Sequence, residues 1–361
     1  MDQDKLKAPI ETREHSFFHS ITKKWKDAIP IVLAILGGII IGGVMMLVAG
    51  HNPFTAYTAL LVGAVGEPYN LAATLGRAIP ILGCGIAAAL AFKAGLINIG
   101  GEGQLVLGAL GATLVALFFP PGWFSIIVAL LVGVIFGGFW SFLSGFFQTK
   151  FRVPILISSL LMNYIATGFV SYMIFAHLIE PGGSRNQTPL FPEATRFAKL
   201  IPGTTVHWGI FVVLFIVVIV GFLMFRSVAG YELRMFGANR EFAEAGGIKP
   251  KRMTHLVMAL SGGIVGITGA CQVLGVYYRL IDTSLTLPGY YWSGAMAAIL
   301  SNNNPIGMAL ASIFFAAVQT GASGMERATE IPFELSYVVQ AIMILLIAVR
   351  GFLKPVPKET L

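Results

Sequence analysis

The amino-acid sequence predicts an all-α protein that crosses a membrane about ten times. Hydrophobic residues make up 56% of the 361 residues, charged residues make up 11%, and the mean hydropathy is +0.80. Soluble domains carry about 25% charged residues. Apolar runs of the length that a membrane-spanning helix needs, ~20 residues, recur between Ala28 and Val349. Composition and run length together exclude a soluble globular domain.

The length rule divides these apolar runs into ten candidate spans. Lysine and arginine collect in the cytoplasmic loops of membrane proteins, and this layout puts most basic loops on one side together with both termini. We therefore expect a cytoplasmic segment at 1–27, a transmembrane domain at 28–350 and a cytoplasmic tail at 351–361. The spans are 28–49, 69–92, 97–119, 123–147, 153–179, 207–225, 254–278, 288–301, 305–322 and 332–349.

The same layout predicts the cellular location. The polar N-terminus has no small-residue cleavage site before the first apolar run, so we expect a retained first helix and not a cleaved signal. The layout itself predicts a multi-pass membrane protein. The net charge of +7 follows from the basic cytoplasmic loops, so it does not require nucleic acid as a partner.

Five spans precede loop 180–206 and five follow it, which gives the two halves opposite orientations. Such odd-numbered halves are typical of transporters built from inverted repeats, with interrupted helices at matching places. The segments at 97–119 and 288–301 are third in their halves, and whether each is a full span or re-entrant stays open. Loop 180–206, rich in proline and glycine, is expected to form an ordered external cap with a short helical turn near 192–200.

The segment KAGLINIGGEGQLVLGA at 93–109 places polar side chains among glycines inside an apolar run. Each glycine disfavours helix by about 0.8–1 kcal/mol, so the helix is expected to start late or to be broken. If the backbone is helical, Asn98 and Glu102 share a face. Polar groups at membrane depth are tolerated only against protein or a water-filled path. We predict a translocation pathway or gate at Asn98, Glu102, Gln104 and Asn163. A structural role for Glu102, capping nearby amides, is the alternative.

Other intramembrane polar residues have simpler predicted roles. Asn163 and Gln272 are candidates for interhelical hydrogen bonds. Arg77 is expected to snorkel outward or to pair with a carboxylate. The tyrosines and Trp292 near 277–292 fit either an interfacial aromatic belt or stacking in a pathway.

Loop 226–252 is unusually rich in helix formers for a cytoplasmic connection. Glu241 and Glu244 are predicted to share one helical face. Gly246 and Gly247 are expected to end that helix, and Pro250 to prevent its resumption. The chain contains no GxxxxGK[ST] phosphate loop, no HExxH or GxSxG motif and no paired-cysteine metal motif. We therefore expect neither an enzyme nor a cofactor of its own.

Four segments resemble the permeases of ABC transporters, specifically the nucleoside-importer branch of the branched-chain amino acid and sugar permease superfamily. They are AFKAGLINIGGEGQLVLGA, LLMNYIA at 160–166, GANREFAEAGGI at 237–248 and ALSGGIVGITGACQVLGVYYR at 259–279. The resemblance implies a separate ATPase subunit that hydrolyses ATP, a second permease subunit and an external substrate-binding lipoprotein. It also implies that loop 237–248 couples to the ATPase, and that the chain lies in the bacterial inner (plasma) membrane. The residues that we assign to this coupling are Gly237, Asn239, Glu241, Ala245, Gly246, Gly247 and Ile248.

The leading hypothesis is a nucleoside-import permease driven by a partner ATPase. The alternatives are a sugar or branched-chain amino acid permease of the same kind and an ion-coupled secondary transporter. An ion-coupled transporter needs protonatable groups deep in the membrane, and Glu102 is the one strong carboxylate candidate in the sequence. A membrane-embedded enzyme is disfavoured, because no catalytic cluster is present.

Overall fold

The structure is a computed structural model that describes residues 33, 36–48, 50–183, 185–329, 331–335, 337, 338 and 342. Within these residues the chain is helical and contains no β-strand. The all-α, multi-spanning fold class is therefore confirmed. The predicted segments 1–27 and 351–361 lie outside the described residues, as does most of the last predicted span, 332–349.

Seven of the described helices are long and apolar enough to cross a membrane. They are α3 (Pro68–Lys93), α4 (Gly101–Phe118), α5 (Trp123–Phe151), α6 (Ile155–His177), α7 (Gly209–Arg226), α10 (Pro250–Gln272, continued by a π-helix at Val273–Tyr277) and α12 (Pro305–Thr329). The shorter helices are α1 (Leu36–Val48), α2 (Pro53–Val65), α8 (Val228–Ala238), α9 (Arg240–Ala245) and α11 (Tyr290–Leu300).

Four features differ from the sequence-based layout. Helix α2 was not predicted, because its 13 residues fall below the length of a span. The third segment becomes helical only at Gly101, and the eighth contains an 11-residue helix, too short for a full crossing. Pro250 does not prevent a helix: it occupies the first turn of α10, where its missing N–H has no intrahelical partner to lose. The two inverted halves stay a prediction.

The chain divides into two compact units, Thr58–Met325 and a second unit formed by Met1–Tyr57 with Glu326–Leu361. In the larger unit the most buried spans are α3, α4 and α10, with 83%, 72% and 78% of their apolar windows inside the protein. The corresponding share for α5 and for α7 is 28%. The first three helices therefore form the centre of the unit, and α10 packs against both others.

Glycines set the close approach of α5 and α10. A side chain on Gly137 would collide with the carbonyl oxygen of Gly262, and one on Gly266 with the carbonyl oxygen of Gly133. Such small-residue stripes let two helix backbones approach each other in a membrane. Their role here is tight packing within the bundle.

Candidate functional site

The chain between α3 and α4 is non-helical although it lies inside the bundle. After Lys93 the backbone turns at Gly95, which has a φ of +69° that favours glycine. Residues 96–99 have no regular structure, and α4 begins at Gly101. The helix therefore starts late, as the glycines of the sequence predict.

Two amide side chains pair at the centre of this break. Asn98 donates to the Oε1 atom of Gln104 (3.2 Å) and accepts from its Nε2 atom (3.1 Å), and both side chains are buried. Asn98 also donates to the hydroxyl of Ser261 (3.2 Å). Ser261 lies about 16 Å along α10 from its Pro250 end, at 1.5 Å per residue. The break thus sits well inside the helix bundle.

Asn163 on α6 bonds two backbone groups that have no helical partner, one in the break and one in the first turn of α4. Its Nδ2 atom donates to the carbonyl oxygen of Ile99, and its Oδ1 atom accepts from the N–H of Gly103, both at 2.8 Å. The N–H of Ile99 donates to the Ser159 hydroxyl (3.2 Å). Side chains from a neighbouring helix thereby replace the missing helical hydrogen bonds, which an apolar medium cannot supply. The hydrogen bonds predicted for Asn163 between helices are confirmed.

The short helix α11 meets the break directly. The hydroxyl of Tyr291 donates to the carbonyl oxygen of Asn98, and the Tyr291 ring fills the space that a side chain on Gly101 would need. The third and eighth predicted segments, both interrupted, are therefore in contact at their helix starts.

Glu102 faces away from the amide network. Its carboxylate interacts with the side chain of Trp292 on α11 and lies near Cys84 on α3. Glu102 is half-buried and Trp292 is 38% exposed, whereas Asn98, Gln104 and Asn163 are buried. Asn98 and Glu102 do not share a face, because the helix begins after Asn98.

The remaining intramembrane polar residues are placed as follows. Arg77 lies beside the hydroxyls of Tyr277 and Tyr290, and its buried Nη1 atom has no hydrogen-bond partner. Among the described residues the one ion pair joins Glu180 and Arg279, so the carboxylate partner considered for Arg77 is not found there. The Nε2 atom of buried Gln272 has no hydrogen-bond partner, and an interhelical hydrogen bond of Gln272 stays a prediction.

Loop 180–206 is ordered by contacts with the segment that follows the π-helix. The N–H of Thr188 donates to the carbonyl oxygen of Leu280 (2.9 Å), and that of Phe191 to the carbonyl oxygen of Tyr278 (2.8 Å). A short 3₁₀ helix at Glu193–Thr195 matches the predicted helical turn. The helical turn is confirmed, and the role of the loop as an ordered external cap stays a prediction.

Helices α8 and α9 form the predicted helical part of loop 226–252. Asn239 caps α9 by accepting from the N–H of Phe242 (2.9 Å), and Gly247 follows with a φ of +89°. Ala243 is buried, while Phe242 is 63% exposed between the exposed Glu241 and Glu244. The C-terminal part of α8 packs on the end of α3, since a side chain on Gly237 would collide with the carbonyl oxygen of Lys93.

Helices of membrane-spanning length, a polar break inside the bundle and two short helices in a basic loop together define a multi-spanning membrane protein. The chain belongs to the family described as branched-chain amino acid transport system / permease component, whose model matches residues 70–348.

Individual relatives cover nearly the whole chain. It is 30% identical to the guanosine ABC transporter permease NupP of Bacillus subtilis, over 91% of this chain and 95% of that protein. It is 31% identical to the nucleoside ABC transporter permease NupB of Lactococcus lactis, over 91% and 92%. It is also 31% identical to the glucose ABC transporter permease TsgB13 of Haloferax volcanii, over 90% of this chain and 87% of that protein.

Proposed function

We propose that this chain is the translocation subunit of an ATP-driven importer for nucleosides, with the path passing the break at 94–100 and the start of α4. The observation that carries the proposal is a half-buried carboxylate, Glu102, at the contact of two interrupted helices inside a membrane protein. A charge in that position points to a polar solute path. Two relatives named for guanosine or nucleoside transport support the substrate class. Asn98, Gln104 and Asn163 would hold the non-helical segment in shape beside that path.

A sugar is the second candidate substrate. The glucose permease of Haloferax volcanii is as similar to this chain as the two nucleoside permeases are. Carboxylates and indoles bind sugars as well as nucleosides, so the side chains of Glu102 and Trp292 fit both solutes. Uptake measured with both decides between them.

The hairpin α8–α9 is the proposed docking surface for a separate ATPase subunit. Phe242 supplies an exposed apolar anchor between charged residues on a short helix, a pattern suited to a groove in a partner. Gly237 rests on the end of α3, immediately before the break. A movement of the hairpin would therefore reach Gly95 and the segment 96–99 through direct backbone contact.

The remaining proposed partners are a second permease and an external binding lipoprotein. Both termini of this chain would lie in the cytoplasm. Bacillus subtilis and Lactococcus lactis each contribute a second, less similar relative, NupQ at 26% identity and NupC at 23% identity. Two distinct permeases in one organism, one of them clearly more like this chain, support a heterodimer.

The test is reconstitution of the chain with an ATPase, a second permease and a binding lipoprotein from the same organism. We expect ATP-dependent uptake of nucleoside and no competition by excess glucose. Uptake without the ATPase would favour an ion-coupled transporter. The variants Glu241→Lys and Phe242→Asp should lose both uptake and ATPase co-purification, whereas the matched control Glu193→Lys, in loop 180–206, should keep both. Wild-type retention of the ATPase by Phe242→Asp would contradict the docking site.

A further inference from the structure

We propose that Trp292 and Glu102 together form the binding position for the nucleoside base, an inference that rests on the proposed function. Trp292 would stack on the base, and the carboxylate of Glu102 would accept hydrogen bonds from base N–H groups. The chemical class is therefore a purine nucleoside with neighbouring N–H donors on its base edge, such as guanosine.

The position follows from how the two interrupted helices meet. Tyr291 anchors the start of α11 to Asn98 and Gly101, so the next residue, Trp292, is held beside the next residue of α4, Glu102. In transporters, substrate sites form where discontinuous helices converge inside the membrane. Here the convergence brings an aromatic ring and a carboxylate together.

Exposure separates this pair from the residues around it. Tyr290 and Tyr291 are buried, as are Asn98 and Gln104, and their polar groups serve other protein groups. Trp292 is 38% exposed and Glu102 is half-buried, so each keeps surface for a solute. The carboxylate interacts with the Trp292 side chain, whose indole also makes a T-shaped contact with the Tyr291 ring (centroids 6.4 Å apart) and stays 38% exposed.

The two side chains match the two parts of a base. Stacking on an aromatic side chain needs only the π-face that every base has. Discrimination comes from the edge, because a carboxylate accepts hydrogen bonds and cannot donate them. A guanine edge with its exocyclic amino group satisfies this requirement, and purine riboside, whose base has no N–H group, does not.

The experiment measures KM and kcat for uptake by the complete complex in proteoliposomes, with equal amounts of assembled complex. Trp292→Ala should raise the KM for guanosine about tenfold or more, since base stacking is worth about 1–3 kcal/mol and tenfold corresponds to about 1.4 kcal/mol. Trp292→Phe should stay within about threefold. The matched control Trp123→Ala removes an exposed tryptophan at the start of α5 and should change KM less than twofold.

The charge is tested separately. Glu102→Gln should raise the KM for guanosine about tenfold and that for purine riboside less than twofold. Equal shifts for both nucleosides would overturn the assignment of Glu102 to the base edge. If Trp292→Ala does not assemble, Trp292→Leu replaces it: a KM equal to that of Trp292→Phe would overturn the stacking role.

Two failures remain distinguishable. A wild-type complex that imports glucose and no nucleoside would contradict the proposed function itself. If the wild-type complex imports guanosine, and the Trp292→Leu and Glu102→Gln variants both show an unchanged KM, only the base site would be contradicted.

Discussion

Two interruptions of helical structure in this protein are built in opposite ways. At the centre of the interruption at 94–100, backbone groups are bonded by side chains from other helices: Asn163 and Ser159 of α6 bond Ile99, and Tyr291 of α11 bonds the carbonyl oxygen of Asn98. At 239 and 246–249 the groups are bonded locally, by the Asn239 cap and by a turn in which the N–H of Ile248 donates to the carbonyl oxygen of Ala243 (3.0 Å). Most of the first interruption is buried, apart from Gly95 and Ile97, and most of the second is exposed.

The difference teaches where each kind of change should act. A buried break depends on its distant partners, because a buried polar group left unsatisfied costs about 1–3 kcal/mol. An exposed turn can bond to water, so its residues are free to serve a partner protein. Substitutions at the first site should therefore unfold the bundle, and substitutions at the second should leave it folded.

The largest effect is expected from Asn163→Ala. It leaves the Gly103 N–H and the Ile99 carbonyl oxygen without partners, a loss of about 2 to 6 kcal/mol. The melting temperature of the detergent-purified protein should fall markedly. Asn163→Asp keeps the acceptor and loses the donor, so its melting temperature should lie between those of the wild type and Asn163→Ala.

Thr167→Ala is the control for that comparison. Its hydroxyl donates only within α6, to the carbonyl oxygens of Asn163 (3.0 Å) and Tyr164 (3.1 Å). Both carbonyl groups lie inside the helix, so losing the hydroxyl does not leave them without a helical partner. Its melting temperature should stay near that of the wild type. Equal losses for Thr167→Ala and Asn163→Ala would mean that the break is not held by Asn163.

A smaller loss is expected from Gly101→Ala. The new methyl group would meet the Tyr291 ring, and overpacking of this kind typically costs about 1–3 kcal/mol. Gly246→Ala is the matched change at the exposed turn, where the nearest atom to a new Cβ is the Ala243 carbonyl oxygen at 3.4 Å, an ordinary contact. Thermal melting should separate the two variants. A stable Gly101→Ala would show that α4 and α11 can move apart freely.

The smallest effect belongs to Asn239→Ala. Loss of an N-cap costs about 0.5–2 kcal/mol, and here it falls on the short helix α9 alone. Hydrogen exchange should rise at Phe242, whose N–H loses its acceptor, without a change in global melting. Asn239→Asp preserves the cap and should behave as wild type. A global loss of stability in Asn239→Ala would contradict the local character of this turn.

Local features of the fold were predictable from sequence. The glycines at 100, 101 and 103 predict the late start of α4, and the short polar-flanked run at 288–301 raises the possibility of an incomplete crossing. The helix of loop 226–252 also follows from its composition. Helix α2 escapes the length rule, and Pro250 is ambiguous because proline both ends helices and begins them.

Contacts between distant segments were not predictable. The sequence gives no register for α6 against the break, so the bonds of Asn163 to Ile99 and Gly103 follow only from the fold. The Glu102–Trp292 pair joins residues far apart in sequence through the packing of Tyr291 on Gly101. The sequence shows the chemistry of Glu102 and of Trp292 separately, and only the structure brings the two side chains together.

The central claim is that the contact of the two interrupted helices lines a water-filled solute path. Its most direct test is the thiol reactivity of Trp292→Cys in the reconstituted complex, in a background that carries Cys84→Ala and Cys271→Ala. Leu131→Cys, at an exposed apolar position on α5, is the lipid-facing control. We expect Trp292→Cys to react with a hydrophilic thiol reagent, more slowly when guanosine is present, and Leu131→Cys to react only with a lipid-soluble one. If Trp292→Cys behaved like Leu131→Cys, the path would not pass this site.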